Sequence, residues 1–249
     1  MVVVAVAALA GCGAASRPAT SGPARAPAAA RARAIGPWRT TIGRSRLRRA
    51  IRAVVVGDPS SRRKVLVVGC VHGDEPAGMA VTRALRGAHA IPGVSLWLVD
   101  AFNPDGCRAG TRQNASGVDL NRNSPWHWRP LGAPGGMFWS GPRPASEPET
   151  RAMLQLVRRI RPDLAVWYHQ HAALVDDSGG DRRIERRYAR LTGLPFRHYG
   201  TFPGSITSWE NTVLPTSTAF VVELPAGRLG ARATRRHVRA VLALAHRLR

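Results

Sequence analysis

Four short segments of this chain carry side chains that bind divalent metals and move protons: Gly69-Cys-Val-His72-Gly-Asp-Glu75, Asp119-Leu-Asn121-Arg122-Asn123, Trp167-Tyr-His169-Gln170 and Val221-Val-Glu223-Leu224. A histidine and a carboxylate three residues apart, with a second histidine far downstream, supply three protein ligands for Zn²⁺ and leave a coordination position open. Zinc lowers the pKa of water bound to it to about 7, and Glu223, a later glutamate outside the ligand set, would be the base that takes the water proton. A lone His-x-x-Glu is common by chance. The four segments together, in this order, point to metal-assisted hydrolysis.

The elements that must position these residues can be read from the apolar pattern. Residues 51–56, 65–69, 94–99, 164–168 and 219–222 are short runs rich in Val, Ile and Leu bounded by turn residues, as buried strands are. Pro76 suits the first turn of a helix after the second run, so His72 and Glu75 fall on a strand-to-helix turn. Asn103-Pro-Asp-Gly106 reads as a tight turn. Ser146-Glu-Pro-Glu149 reads as a capping box opening a helix that Pro162 stops. Further helices are expected near residues 181–191 and from about 231. The alternation predicts an α/β fold with a mostly parallel sheet covered by helices on both faces, whose ligands gather at the carboxyl ends of the strands. The three metal-ligand candidates and Glu223 all fall at predicted strand ends, His169 closing the run 164–168. His171, two residues on and on the same side of an extended segment, competes with His169.

From about Gly36 to the C-terminus the chain resembles the zinc carboxypeptidase family. The parts that carry the resemblance are His-x-x-Glu, Asn-Pro-Asp-Gly, Thr111-Arg112, Asp-x-Asn-Arg-Asn, a strand-terminal His and a Glu-Leu near the end. It implies a carboxypeptidase-like fold, one zinc ion held by His72, Glu75 and His169, and Glu223 as general base. It further implies that Arg112 stabilises the oxyanion and that Asn121 and Arg122 bind a substrate carboxylate. Tyr199 matches the family's mobile tyrosine by its spacing to Gly204-Ser205-Ile206. The Gly-Val-Asp-Leu-Asn-Arg-Asn run is most similar to the murein tripeptide amidase branch, which implies cleavage of the γ-D-glutamyl–meso-diaminopimelate bond of peptidoglycan peptides. An N-acyl amino acid deacylase of the aspartoacylase or succinylglutamate desuccinylase type shares His-Gly-x-Glu and Asp-Leu-Asn-Arg, but lacks the Asn-Pro-Asp-Gly and Thr-Arg found here. A non-catalytic, tethered wall-binding module would be expected to have lost a ligand or Glu223.

The 249 residues, 44% hydrophobic, suffice for one substantial core. Residues 2–10 are uninterruptedly apolar and end in Leu9-Ala10-Gly11-Cys12, which resembles a bacterial lipoprotein signal; the alternative is a frayed apolar tail. The run is too short to span a bilayer. The reading is therefore a signal over residues 1–12, a disordered Ala/Pro/Arg-rich tether over 13–36 and a catalytic domain over 37–249, with the enzyme extracytoplasmic, lipid-anchored at Cys12 or secreted. The net charge of +22 does not imply a nucleic-acid partner, since the basic residues are spread along the chain and Lys64 is the single lysine among 37. Outside the cytoplasm Cys70 and Cys107 could pair; a buried free Cys70 is the alternative.

Overall fold

Strands that are apolar at every position need cover on both faces, and the arrangement of helices provides it. The structure is a computed structural model and describes residues 1–3, 5 and 37–248. The chain divides into two units, residues 1–32 and 33–249. The second contains β1 (Trp38–Arg44), β2 (Ala50–Val56), β3 (Arg63–Val68), α1 (Met79–Leu85), β4 (Val94–Val99), α2 (Pro104–Ala109), α3 (Pro148–Ile160), β5 (Leu164–Asp176), α4 (Arg182–Thr192), β6 (Phe196–Arg197), α5 (Ile206–Val213), β7 (Thr218–Pro225) and α6 (Ala231–Ala245). The anchor expected at Cys12 and the tether over 13–36 lie outside the described residues.

The sheet runs β1-β2-β4-β3-β5, and both β6 and β7 pair with β5. The β1–β2 and β2–β4 pairs are antiparallel, while β4, β3, β5 and β7 run parallel. Alternate side chains of each strand leave on opposite faces. Val65, Val67, Val166, Tyr168, Phe220 and Val222 pack with Leu85 of α1, Tyr188 of α4 and Val241 of α6. Leu66, Val68, Ala165, Trp167 and Ala219 pack with Met153 and Val157 of α3 and Trp209 of α5. The sheet is thus mixed with a parallel centre and has helices on both faces, as the alternating pattern predicts. No helix among the described residues is long and apolar enough to cross a membrane.

Three local expectations are corrected. Asn103-Pro-Asp-Gly106 opens α2 rather than a simple turn: Asn103 Oδ1 accepts the Gly106 N–H at 2.9 Å and Pro104 takes the first helical position, and both residue types start helices as readily as turns. Ser146 does not cap α3, which begins at Pro148 after Glu147. Its hydroxyl donates instead to Glu147 at 2.8 Å, and buried Glu149 accepts the Arg46 N–H at 2.8 Å from the β1–β2 connection. Finally, β5 does not stop at Tyr168 but continues to Asp176 through a bulge, so His169 lies within the strand. β1, β6 and α5 were not anticipated; β1 is a largely solvent-facing edge strand with no apolar run to betray it, and β6 is two residues long.

Glu210 of α5 is fully buried, its Oε2 accepting the Trp167 indole N–H at 3.0 Å. Burial pushes its pKa up to about 8 from an ordinary 4.5. Between those values the folded protein keeps a proton that the unfolded chain has lost, so the stability Glu210 contributes falls as pH rises through that window. Glu210→Gln keeps an acceptor for Trp167 and removes the titration. It should raise Tm at pH 8 by about 2–4 °C while leaving it nearly unchanged at pH 5; thermal unfolding at the two pH values checks this, and an equal shift at both would contradict it.

Candidate active site

Past the end of β3 the chain turns through Gly69-Cys70-Val71 to His72, and a disulfide between Cys70 and Cys107 ties this turn to α2. Position 73 must be glycine, since a Cβ there would overlap the backbone of Gly106. The Glu75 N–H donates to the His72 carbonyl at 3.1 Å, and a 3-10 turn over Pro76–Gly78 leads into α1. His169 reaches the same place from β5. In the parallel register it stands opposite Glu223 of β7, so the third ligand and the expected base occupy neighbouring strands at one level.

His72 Nδ1 and His169 Nδ1 are 3.1 Å apart, and each lies 3.0 Å from an oxygen of Glu75. All three residues are buried. The other ring nitrogen of His72, Nε2, is 2.9 Å from Asp119 Oδ1, a pairing that puts the proton on Nε2 and presents the Nδ1 lone pair to the cluster. Two imidazole nitrogens and a carboxylate converging on one buried point form a donor set suited to Zn²⁺, and all three residues border the cleft. The electrostatics favour a cation there. Burial alone would lower the His72 pKa, but Asp119 and Glu75 outweigh it and carry it up to about 9. Burial would likewise raise Glu75 and Asp119, yet the histidines hold both well below the usual carboxylate range, with Arg112 helping at Asp119.

The cluster forms the floor of a cleft of about 460 Å³ lined also by Arg112, Asn121, Arg122, Tyr199 and Glu223, so the structure brings every predicted site residue together. Arg112 donates through Nη1 to Glu75 at 2.9 Å and through Nη2 to Asp119 at 3.0 Å. Asn121 and Arg122 sit on a 3-10 turn, Leu120–Arg122, whose first N–H groups are capped by Asp119. Asn121 Oδ1 is occupied by the Ile206 N–H at 3.1 Å, which leaves its amide nitrogen as the group available to a ligand oxygen. The Arg122 guanidinium rests 4.4 Å from the Phe202 ring centre and 5.7 Å from that of Phe138. Tyr199 is 53% exposed at the rim, on a loop whose Gly204 packs against the Arg122 backbone too closely for any side chain.

His171 also lines the cleft but is exposed and stands apart from the cluster, whose third member is His169. Trp126, Trp128 and Trp139 do not wall the cleft; Met137 and Phe138 from the same loop do. The tryptophans serve loop packing, as in the Trp128 indole N–H donating to the Ser140 carbonyl at 3.1 Å. Sequence reasoning gave Asp119 no role, although its place two residues before Asn121 was in view. It also missed Gln170, whose Oε1 accepts the Ala77 N–H and whose Nε2 donates to Pro225 and Gly227, stapling β5 to both neighbouring segments of the cleft.

Comparisons with known proteins bear on the family and the fold. A profile described as zinc carboxypeptidase matches residues 39–181. Murein peptide amidase A of Escherichia coli strain K12 is 34% identical over 172 residues, covering 60% of this chain and 67% of that protein. The enzyme of the same name from Vibrio campbellii is 33% identical over 185 residues, 66% of this chain and 71% of that one. Among solved structures, the murein-tripeptide amidase of Escherichia coli O157 superposes with a TM-score of 0.66 at 29% identity, covering 84% of this chain and 91% of that one. Bovine thrombin-activatable fibrinolysis inhibitor, with a TM-score of 0.71 at 16% identity over 85% of this chain and 90% of that one, shares the fold. The profile ends before Tyr199 and Glu223, which enter the site through the sheet register and the loop geometry.

If Asp119 fixes the His72 ring, Asp119→Asn should weaken zinc affinity roughly 10- to 100-fold while His169→Ala abolishes stoichiometric binding. Competition against a chelating dye measures both; unchanged affinity in Asp119→Asn would contradict the orienting role.

Proposed function

The chain belongs to the zinc carboxypeptidase family, and from that premise we propose that it is a peptidoglycan-directed amidase cleaving the γ-D-glutamyl–meso-diaminopimelate bond of wall peptides. The observation that carries the chemistry is the three-donor cluster with Glu223 beside it in register. The observation that carries the substrate is the similarity to murein peptide amidases over most of their length.

His72 Nδ1, Glu75 and His169 Nδ1 would hold the metal, which supplies Lewis acidity and a lowered pKa for water in the cleft. Glu223 takes a proton from the attacking water as its oxygen bonds to the amide carbon. The same carboxyl returns that proton to the departing nitrogen as the C–N bond breaks. Arg112, at the cleft wall beside Glu75, stabilises the negative charge that gathers on the carbonyl oxygen. Arg122 and the Asn121 amide nitrogen receive the carboxylate of the residue being released, and the exposed Tyr199 closes over it. The Phe202 and Phe138 rings beside the Arg122 guanidinium add cation–π attraction that favours its place in the cleft.

The disulfide supports a site of action outside the cytoplasm, where thiols pair and stay paired. Leu9-Ala10-Gly11-Cys12 would then supply a lipid anchor. Cys12→Ser expressed with its native leader should move the enzyme from the membrane pellet to the soluble fraction; retention in the pellet after a salt wash would end the anchor reading.

On L-Ala-γ-D-Glu-meso-diaminopimelate, zinc-loaded protein should release diaminopimelate. Glu223→Gln should lower kcat by about 10³-fold or more without losing zinc. Product release assayed alongside metal content distinguishes a lost base from a lost metal, and no turnover by fully loaded wild type would overturn the bond assignment.

A further inference from the structure

One buried carboxylate in the cleft has no part in the chemistry above. Asp176 ends β5, and the bulge after His171, with Ala173 at a φ of 55°, returns the strand alongside β7 so that Val175 faces Val222. Asp176 is 7% exposed and lines the same cleft as Glu223 and Arg122. Its Oδ1 accepts the Tyr199 N–H at 2.7 Å and its Oδ2 the Ser178 hydroxyl at 2.8 Å.

No arginine or lysine among the described residues forms an ion pair with it. Neighbouring Asp177 takes Arg182 at 2.9 Å, and the cleft's own guanidiniums donate to Glu75, Asp119 and the Asn121 carbonyl. Exposed His198 lends it some positive potential, while Asp177 adds negative potential, and burial keeps its pKa raised. Two neutral hydrogen bonds do not replace the hydration of a buried carboxylate; a cation delivered into the cleft would.

The cleft therefore offers two unlike handles, guanidinium for a carboxylate and Asp176 for an ammonium. We infer that Asp176 selects substrates whose released residue carries a side-chain ammonium group. The inference deepens the wall-peptide reading and rests on it for the preferred ligand: meso-diaminopimelate presents a carboxylate at the amide-linked centre and an ammonium at its far centre. Lysine presents a similar ammonium without the second carboxylate.

The test compares γ-D-glutamyl substrates ending in meso-diaminopimelate, lysine or 2-aminopimelate, the last lacking only the ammonium of the first. Zinc-loaded wild type should favour diaminopimelate over 2-aminopimelate roughly 10- to 100-fold in kcat/KM, the range expected for a hydrogen bond to a charged group. Asp176→Asn should collapse that ratio to near one. A role confined to holding the Tyr199 backbone would lower both substrates by one factor and leave the ratio unchanged, which overturns the inference. Lysine at or above diaminopimelate would assign the pocket to a simple ammonium; lysine far below would assign it to the diamino acid. Calorimetry with the free amino acids separates this result from the bond assignment. If neither protein hydrolyses any γ-glutamyl substrate, but wild type alone prefers diaminopimelate to 2-aminopimelate, the wall-peptide bond is wrong and the role of Asp176 stands; equal binding by both proteins overturns it.

Discussion

Asp119 is fully buried, and its two oxygens meet His72, Arg112 and the backbone N–H of Asn121, so one carboxylate sets the position of three residues in the cleft. A buried charge of this kind is tolerable only when its partners are charged and well aligned. Here the compensation comes from a guanidinium and from an imidazole whose other nitrogen faces the metal cluster. Metal affinity, the place of the oxyanion-stabilising arginine and the start of the carboxylate-binding turn are therefore not independent properties. Each depends on the same side chain keeping all of its hydrogen bonds.

The sheet supplies the second constraint. His169 and Glu223 come from different strands and meet because β5 and β7 are paired in parallel with those residues opposite. A slip of one residue would send either side chain to the other face. The register is held by the apolar residues below the pair, Val166 and Tyr168 against Phe220 and Val222 on one face and Trp167 against Ala219 on the other. The His72–Glu75 turn has no such ladder. It is secured by the Cys70–Cys107 disulfide, the close approach of Gly73 to Gly106 and the Gln170 hydrogen bond to Ala77.

Much of this was legible because metal ligands and buried strands leave local marks. His-x-x-Glu, the apolar runs and Glu-Leu near the end located the strand edges and the donors without any long-range information. What was not legible depends on tertiary contact. Glu149 has the sequence look of a capping residue and is taken instead by the backbone of Arg46, 103 positions away in no pattern a local reading can see. The extension of β5 past His169 comes from a bulge, and bulges have no reliable sequence signature. That extension is what carries Asp176 into the cleft. Phe138 lines the cleft while the tryptophans of its loop do not, because the size of an aromatic side chain does not say which way its loop turns.

The charges of the cleft explain why its geometry suits a divalent ion specifically. Setting aside solvent-exposed Asp74, its guanidiniums are Arg112 and Arg122, and the carboxylates in or directly beneath it are Glu75, Asp119, Asp176 and Glu223. Two positive groups face four negative ones, a deficit equal to the charge of Zn²⁺. A monovalent ion would leave one of these carboxylates uncompensated. Metal binding should therefore be coupled to the order of the cleft, because without the ion these carboxylates repel one another across a short distance. The same balance bears on recognition. Overall balance does not place a cation at each carboxylate: Arg112 contacts Glu75 and Asp119, no arginine or lysine among the described residues pairs with Asp176, and the substrate can supply a cation beside it.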